Sequence, residues 1–256
     1  MAETRRIDLG THSLRVTDRA PRVAGEGAGD PPFVCLHGLV DTLEIWDRLA
    51  GALSEQRRTI CVDQRGHGES GAPAGPYARE DLAADVIGVL DALGIERAVL
   101  VGHSMGGIIS MTTAVAYPDR VAGMVLLGTA SRCNERTAKW YERIAQAGEA
   151  DGCDGLARAI YGDKSKRRVT GDANAISAVT RTLASLYTDP LTPKLESLDC
   201  PVLLLVGEKD PMGPRASEII AEALPDSTLQ VLPGCGHWIH VEASDEVRAA
   251  AAAWIG

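Results

Sequence analysis

Residues 98–107 read Ala98-Val99-Leu100-Val101-Gly102-His103-Ser104-Met105-Gly106-Gly107. The first four are continuously aliphatic, as in a strand covered on both faces. From Met105 the apolar residues fall at helical spacing as far as Tyr117 and stop before Pro118, so a helix starts where the strand ends. Between the two lies Gly102-His103-Ser104-Met105-Gly106, a G-x-S-x-G pentapeptide. A strand that turns sharply into a helix leaves little space around the serine backbone, which accounts for glycines two residues away on either side. The turn also lifts the Ser104 hydroxyl off the strand end. The helix N-terminus behind it offers free N–H groups and the positive end of a dipole to developing negative charge. Ser104 is therefore expected to be a nucleophile. The pentapeptide alone is a common match; the strand before it and the helix after it give it force.

The same alternation extends outward in both directions. Aliphatic runs at 33–36, 59–62, 124–127, 202–206 and 228–232 predict strands, most of them covered on both faces. Residues 82–93 carry Leu82, Val86, Val89, Leu90 and Leu93 at helical spacing and stop at Gly94. Repeated strand–helix alternation predicts a mostly parallel α/β sheet with right-handed crossovers. Residues 5–9 and 13–17 read as a short antiparallel pair, followed by a Gly/Pro-rich loop at 24–32. Residues 131–199 contain no strand-like run, only helical patterning at 139–147, 156–160 and 175–186. A structureless loop that long is unusual in a compact domain, so short helices packed as a lid over one end of the sheet are expected. The alanine-rich run 249–254 fits a surface helix.

Composition narrows the function classes. The chain has 256 residues, 45% hydrophobic and 24% charged, with a formal net charge of −9 from 26 basic and 35 acidic residues. A nucleic-acid or anionic-lipid partner needs a clustered positive footprint, and the longest basic run is the patch 164–168. The six cysteines stand singly, with no CxxC and no zinc spacing. No apolar h-region follows the N-terminal charges, and the longest aliphatic stretch is far short of the roughly 20 residues that cross a bilayer. A cytoplasmic protein of a reducing compartment is expected, with no membrane and no nucleic-acid partner.

A serine hydroxyl needs a base, and the base an orienting acid. Both should sit at strand ends on the same side of the sheet. Strand 202–206 is followed by Gly207-Glu208-Lys209-Asp210, and strand 228–232 by Pro233-Gly234-Cys235-Gly236-His237. Asp210 and His237 complete the order Ser…Asp…His, with Glu208 the main rival acid and Asp226 a weaker one. The tetrahedral oxyanion needs two donors: the Met105 amide after the nucleophile, and a second from the His37-Gly38-Leu39 loop, for which Leu39 N–H is chosen. His103 is expected in packing, His240 at a helix surface or pocket edge, and His37 in holding its loop by hydrogen bonding. No histidine is paired with carboxylates at metal-ligand spacing, and neither a metal nor a cofactor is expected.

Taken together, His37-Gly38, the loop Asp63-Gln64-Arg65-Gly66-His67-Gly68-Glu69-Ser70, the pentapeptide around Ser104, Gly207-Glu208-Lys209-Asp210 and Gly236-His237 resemble the α/β-hydrolase fold superfamily, in its order and spacing. The resemblance implies a mostly parallel eight-stranded sheet whose second strand is antiparallel, flanked by helices. It also implies a helical cap inserted after the sixth strand, dividing the chain into core 1–130, cap 131–199 and core 200–256. Asp63 and Arg65 match a loop that is chiefly structural. Serine at 104 argues against haloalkane dehalogenases and epoxide hydrolases, which use an aspartate.

The start of the cap, Gly128-Thr129-Ala130-Ser131-Arg132 and Lys139-Trp140-Tyr141-Glu142-Arg143-Ile144, is similar to that of 3-oxoadipate enol-lactonases. That resemblance implies a carboxylic ester or lactone as small-molecule substrate, with water, and places Arg132 or Trp140 near the pocket; Trp238, after His237, is a further substrate-binding candidate. Cys235-Gly236-His237-Trp238 resembles the histidine loop of meta-cleavage-product hydrolases, so C–C hydrolysis of dienoates is the alternative. A ligand-sensing member with slow or no turnover is a third reading. With one Phe and 4% aromatics, the pocket is expected to be lined by aliphatics, Met and a few Trp or Tyr.

Overall fold

The computed structural model describes residues 2–22 and 30–255, so most of the loop expected at 24–32 lies outside the described residues. Strands β1 (Glu3–Asp8), β2 (Ser13–Arg19), β3 (Phe33–Leu36), β4 (Thr59–Val62), β5 (Ala98–His103), β6 (Val121–Leu127), β7 (Val202–Gly207) and β8 (Ser227–Leu232) form one sheet in the order 1-2-4-3-5-6-7-8. β2 is antiparallel to both of its neighbours, and every other pairing is parallel. This is the eight-stranded sheet with an antiparallel second strand that the motifs imply.

The helices are α1 (Asp47–Leu53), α2 (Arg79–Ala92), α3 (Met105–Ala116), α4 (Glu135–Tyr161), α5 (Ala173–Ala184), α6 (Pro214–Ala223), α7 (Ile239–Glu242) and α8 (Ser244–Ile255). Alternate side chains of each central strand feed two cores, because successive residues of a strand point to opposite faces. Val34, Leu36, Leu100, Met124 and Leu204 pack with residues of α2 and α3, such as Val86 and Ile109. Phe33, Cys35, Val101, Leu127 and Leu203 pack with Trp46, Leu49 and Val247 on the opposite face. β8 departs from expectation: it is the edge strand, only half-buried along its length, with Val231 exposed. A strand with no neighbour beyond it is not covered as the central ones are.

β5 is buried throughout and passes into α3 through Ser104, whose backbone stands at φ 50, ψ −111. Two close approaches force that turn. A Cβ on Gly106 would lie 2.0 Å from the Leu36 carbonyl oxygen, and one on Gly102 would lie 2.4 Å from the Gly106 oxygen. α3 is buried along most of its length, and its polar side chains are satisfied internally. Ser110, Thr112 and Thr113 each donate to the carbonyl four residues back at 2.8 Å.

Between β6 and β7 the chain carries α4, α5 and short 3-10 turns at Ser185–Tyr187 and Thr192–Ser197. The helical stretches expected at 139–147 and 156–160 belong to one element, broken where Asp151 and Gly152 leave helical geometry, Gly152 at φ 63. Hydrogen bonds tie the two ends of this insert to one another and the insert to the core. At its neck, Leu191 N–H donates to the Ser131 carbonyl at 2.7 Å, and the Ser131 and Thr192 hydroxyls share a 2.7 Å hydrogen bond. Farther along, Asp172 N–H donates to the Gly66 carbonyl at 2.8 Å and Gly68 N–H to the Thr170 carbonyl at 2.9 Å, beside a bridge between His67 and Gly171.

Gly106→Ala should therefore destabilise the protein by at least about 3 kcal/mol, since the clash is with backbone that has nowhere to go. Gly51, inside α1 with nothing within 4 Å of an added Cβ, is the contrasting case. There Ala should stabilise by about 0.5–1 kcal/mol. Urea unfolding of both variants checks the pair; equal effects would mean that the turn around Ser104 is not space-limited.

Candidate active site

Ser104, Asp210 and His237 follow the carboxyl ends of β5, β7 and β8, where ligands gather in open α/β sheets. In register, His103 pairs with Leu127, Leu127 with Leu205, and Gly207 with Leu232, which keeps these strand ends level. The loops after β7 and β8 are stitched together: Glu208 N–H donates to the Leu232 carbonyl at 3.0 Å and Lys209 N–H to the Cys235 carbonyl at 2.8 Å. Gly207 permits this, because a Cβ there would lie 2.1 Å from the Gly236 oxygen. Glu242 holds the histidine loop from the other side, accepting from Gly236 N–H at 2.7 Å and Trp238 N–H at 3.2 Å.

His237 Nδ1 and Asp210 Oδ2 are 2.8 Å apart, and the Asp210 side chain is fully buried. A carboxylate accepts, so Nδ1 carries the proton and Nε2 is left with its lone pair. The other Asp210 oxygen accepts from Met212 N–H at 2.8 Å. Glu208 is occupied elsewhere, accepting from Gly234 N–H at 2.8 Å, and Asp226 is exposed just before the amino end of β8. Of the three carboxylates, Asp210 is the one brought to His237. His103, beside Ser104, donates from Nε2 to the His237 carbonyl at 3.0 Å, which ties the histidine loop to the serine turn.

The turn after β3 lies alongside. Asp41 N–H donates to the Gly38 carbonyl at 3.2 Å, closing a β-turn with Leu39 and Val40 at its centre. Val40 stands at φ 63, so the two non-glycine residues with positive φ among the described residues, Val40 and Ser104, flank the same site. Backbone strain of this kind concentrates at functional sites. His37 holds the turn as expected: its Nε2 accepts from Gln64 N–H at 3.0 Å and its Nδ1 donates to the Gly38 carbonyl at 2.8 Å. Asp63 is buried as a hub, accepting from Leu43 N–H at 2.7 Å, Glu69 N–H at 3.0 Å and Arg15 Nε at 2.6 Å. Arg65 forms a two-pronged pair with Asp85 at 2.6 and 2.7 Å.

A cleft of about 630 Å³ opens beside that turn, lined among others by Arg15, Val40, Asp41, Glu44, Tyr161 and Arg167. Six of its twelve lining residues are charged, and Ser104, Asp210 and His237 are not among the twelve. The buried Asp41 carboxylate accepts from Tyr161 O–H at 3.2 Å and from the Trp238 indole N–H at 3.2 Å. Burial pushes the Asp41 carboxyl up and the Tyr161 hydroxyl up. Trp238 thus sits at the site, joined to the turn after β3. Arg132 and Trp140 do not line the cleft: both are exposed, Arg132 facing Glu222 electrostatically and Trp140 packed on the buried Tyr141 at 5.2 Å between ring centres. Position at the cap entrance does not fix which helix face looks inward.

Asp41, Tyr161 and Arg167 are the residues that sequence reasoning missed. Asp41 follows Gly38 by three positions, within reach of the turn already singled out, and Arg167 belongs to the basic patch considered only for nucleic acid. The histidines beneath the site are buried. His240 is packed against the Trp46 ring at 4.6 Å and the His103 ring at 4.3 Å, not at a helix surface or pocket edge as expected. Burial holds His37 down to about 4, and His67 and His240 down to about 3, with His103 lowered as well. Among the described residues no group of three or more His, Cys, Asp or Glu side chains is placed to hold a metal ion.

A family model described as the alpha/beta hydrolase family matches residues 33–250. A 3-oxoadipate enol-lactonase of Acinetobacter baylyi is 29% identical over 238 residues, which cover 86% of this chain and 87% of that protein. A 2-(acetamidomethylene)succinate hydrolase of Mesorhizobium japonicum is 29% identical over 264 residues, covering 95% and 91%. Among solved structures, the enol-lactonase of Burkholderia xenovorans LB400 superposes with a TM-score of 0.86 at 25% identity, covering 98% of this chain and 99% of that one.

The buried histidines make stability depend on acid. Their folded values lie below the ordinary 6.5, so between about pH 6.5 and 4 the unfolded chain takes up protons that the folded chain refuses. Stability is complete above pH 6.5 and falls as pH drops, by up to about 1.4 kcal/mol per pH unit for each such histidine. Melting temperature should decline from pH 7.5 to 5, and His240→Gln should flatten the decline. A level melting temperature across that range would contradict the burial argument.

Proposed function

The chain belongs to the alpha/beta hydrolase family, and from that premise we propose that it is a serine hydrolase cleaving a carboxylic ester or lactone through Ser104, His237 and Asp210. The observation that carries this reading is the 2.8 Å hydrogen bond between His237 and the buried Asp210, set beside a serine held at φ 50 on the strand-to-helix turn. His237 Nε2 takes the proton of Ser104 Oγ as that oxygen attacks the carbonyl carbon. The Asp210 carboxylate stabilises the resulting imidazolium. Negative charge on the carbonyl oxygen is met by the Met105 and Leu39 amides; each such donor is worth about 3–4 kcal/mol in the transition state. The tetrahedral adduct collapses, the protonated His237 hands its proton to the departing oxygen, and an acyl-enzyme remains. Water, losing its proton to His237, then releases the acid and restores Ser104. In a lactone the departing oxygen stays tethered to the acyl chain through both steps, and the product is a single hydroxy acid.

Residues 131–199 serve in this proposal as the cap that chooses the substrate. The enol-lactonase and succinate-derivative hydrolase relatives support a small molecule acted on with water. The six free cysteines fit a reducing compartment such as the cytoplasm. Among the described residues no helix is long and apolar enough to cross a membrane.

Ser104→Ala should abolish turnover with the fold intact by circular dichroism. Asp210→Asn should lower kcat by about 10⁴, as loss of the orienting carboxylate does in other triads, with Glu208→Gln near wild type. kcat/KM on a panel of lactones against matched acyclic esters separates the substrate classes. A preference above about a hundredfold, or ~2.7 kcal/mol of differential transition-state binding, marks a lactonase. Retained activity in Ser104→Ala would remove this mechanism.

A further inference from the structure

Three features of the cleft remain without a task in the chemistry above: the Arg167 guanidinium, the two rings beneath it, and the Tyr161–Asp41 hydrogen bond. We propose that Arg167 is the specificity-determining residue of this site, recognising a carboxylate carried by the substrate away from the bond that is cleaved. The inference rests on the ester or lactone hydrolase reading and names the class of substrate for it.

Arg167 differs from Arg15 in what pairs with it. Arg15, on the same cleft, is neutralised by Asp63 at 2.6 Å, Glu44 at 2.6 Å and Glu69 at 3.0 Å. Arg167 has no carboxylate within ion-pair distance among the described residues, although it lines the cleft. Its guanidinium is nevertheless fixed in place. It lies over the Trp238 ring at 4.6 Å from the centroid and over the Tyr161 ring at 5.2 Å. The two ring centroids are themselves 6.0 Å apart, so both rings lie to one side of the guanidinium. A planar guanidinium supported in this way can grasp a carboxylate by two parallel hydrogen bonds.

Asp41 is the nearest internal rival for that cation, and it is already engaged. Its two oxygens accept from Tyr161 and Trp238, and Arg167 reaches it only through longer-range attraction. The same two side chains that occupy Asp41 are the ones that cradle Arg167. Trp238 directly follows His237, and Asp41 directly follows Val40 in the turn that carries Leu39. An anion seated on Arg167 therefore lies in the cleft beside the turn that carries Leu39, with Trp238, the residue after His237, stacked on the same guanidinium. In a chain of net charge −9, an uncompensated arginine facing a cleft is selective for an anion. Arg168 lines the same cleft but is not stacked on those rings, so it is assigned no such task.

The test compares a p-nitrophenyl hemisuccinate, which carries a free carboxylate, with its methyl-capped neutral analogue. Wild type should prefer the acid in kcat/KM, mostly through KM. Arg167→Ala should lose about ten- to a hundredfold on the acid, the range of a charge-assisted hydrogen bond, and little on the neutral ester. Arg167→Lys should recover part of the loss, because charge returns without the planar fork. Equal losses on both esters in Arg167→Ala would mean a structural role and overturn the proposal. So would an Arg168→Ala variant that carried the discrimination in its place, or a wild type that favours the neutral ester. Ser104→Ala runs alongside: hydrolysis retained in that variant defeats the serine mechanism, and discrimination lost only in Arg167→Ala speaks to recognition alone.

Discussion

The approach of α3 to the end of β3 is the constraint from which the rest of the site follows. The Gly106 backbone lies so close to the Leu36 carbonyl that no side chain fits between them, and the chain can enter α3 only through a residue at positive φ. A non-glycine residue in that conformation costs about 1–3 kcal/mol and persists only where its surroundings over-determine it. Here they do. Ser104 N–H donates to the Leu127 carbonyl at 2.9 Å, and the Thr129 hydroxyl donates to the Ser104 carbonyl at 2.7 Å. The same contact presses the start of α3, just after Met105, against the strand that leads into the turn carrying Leu39. In the proposed mechanism those two amides are the oxyanion donors.

A comparable economy governs the acid and the base. Their loops approach backbone to backbone at Gly207 and Gly236, so the separation of Asp210 from His237 is set by main chain and not by flexible side chains. On the other flank, the buried Asp63 gathers the loops after β3 and β4 around one carboxylate. Removing it would leave the Leu43 and Glu69 amides without their acceptor and deprive Arg15 of one of its three carboxylates.

What could be read from the sequence divides along the same line. Ser104, Asp210 and His237 were legible because their positions are fixed by local rules: glycines where backbones touch, strand ends at one edge, and chain order. Asp210 and Glu208 differ in space in their partners: Asp210 meets His237, and Glu208 the Gly234 amide. The insert between β6 and β7 was legible as helical and as strand-free, yet not in its inward face. α4 is broken at Gly152, so periodicity measured before the break says nothing of the direction after it. Trp140 is large and apolar, and still lands outside. Arg167 lies on a return segment without apolar rhythm, and its place over Trp238 arises from a contact 71 positions along the chain, which no local pattern encodes.

The fastening of that insert has a mechanical consequence. A lid joined to the core only at its neck can lift as a unit. This insert is also tied where 170–172 meet 66–68 by backbone hydrogen bonds, and again where the Thr182 hydroxyl donates to the Tyr77 carbonyl. Lifting it as a unit would break both ties, whereas the bonds of Ser131 with Leu191 and Thr192 join residues within the insert and would travel with it.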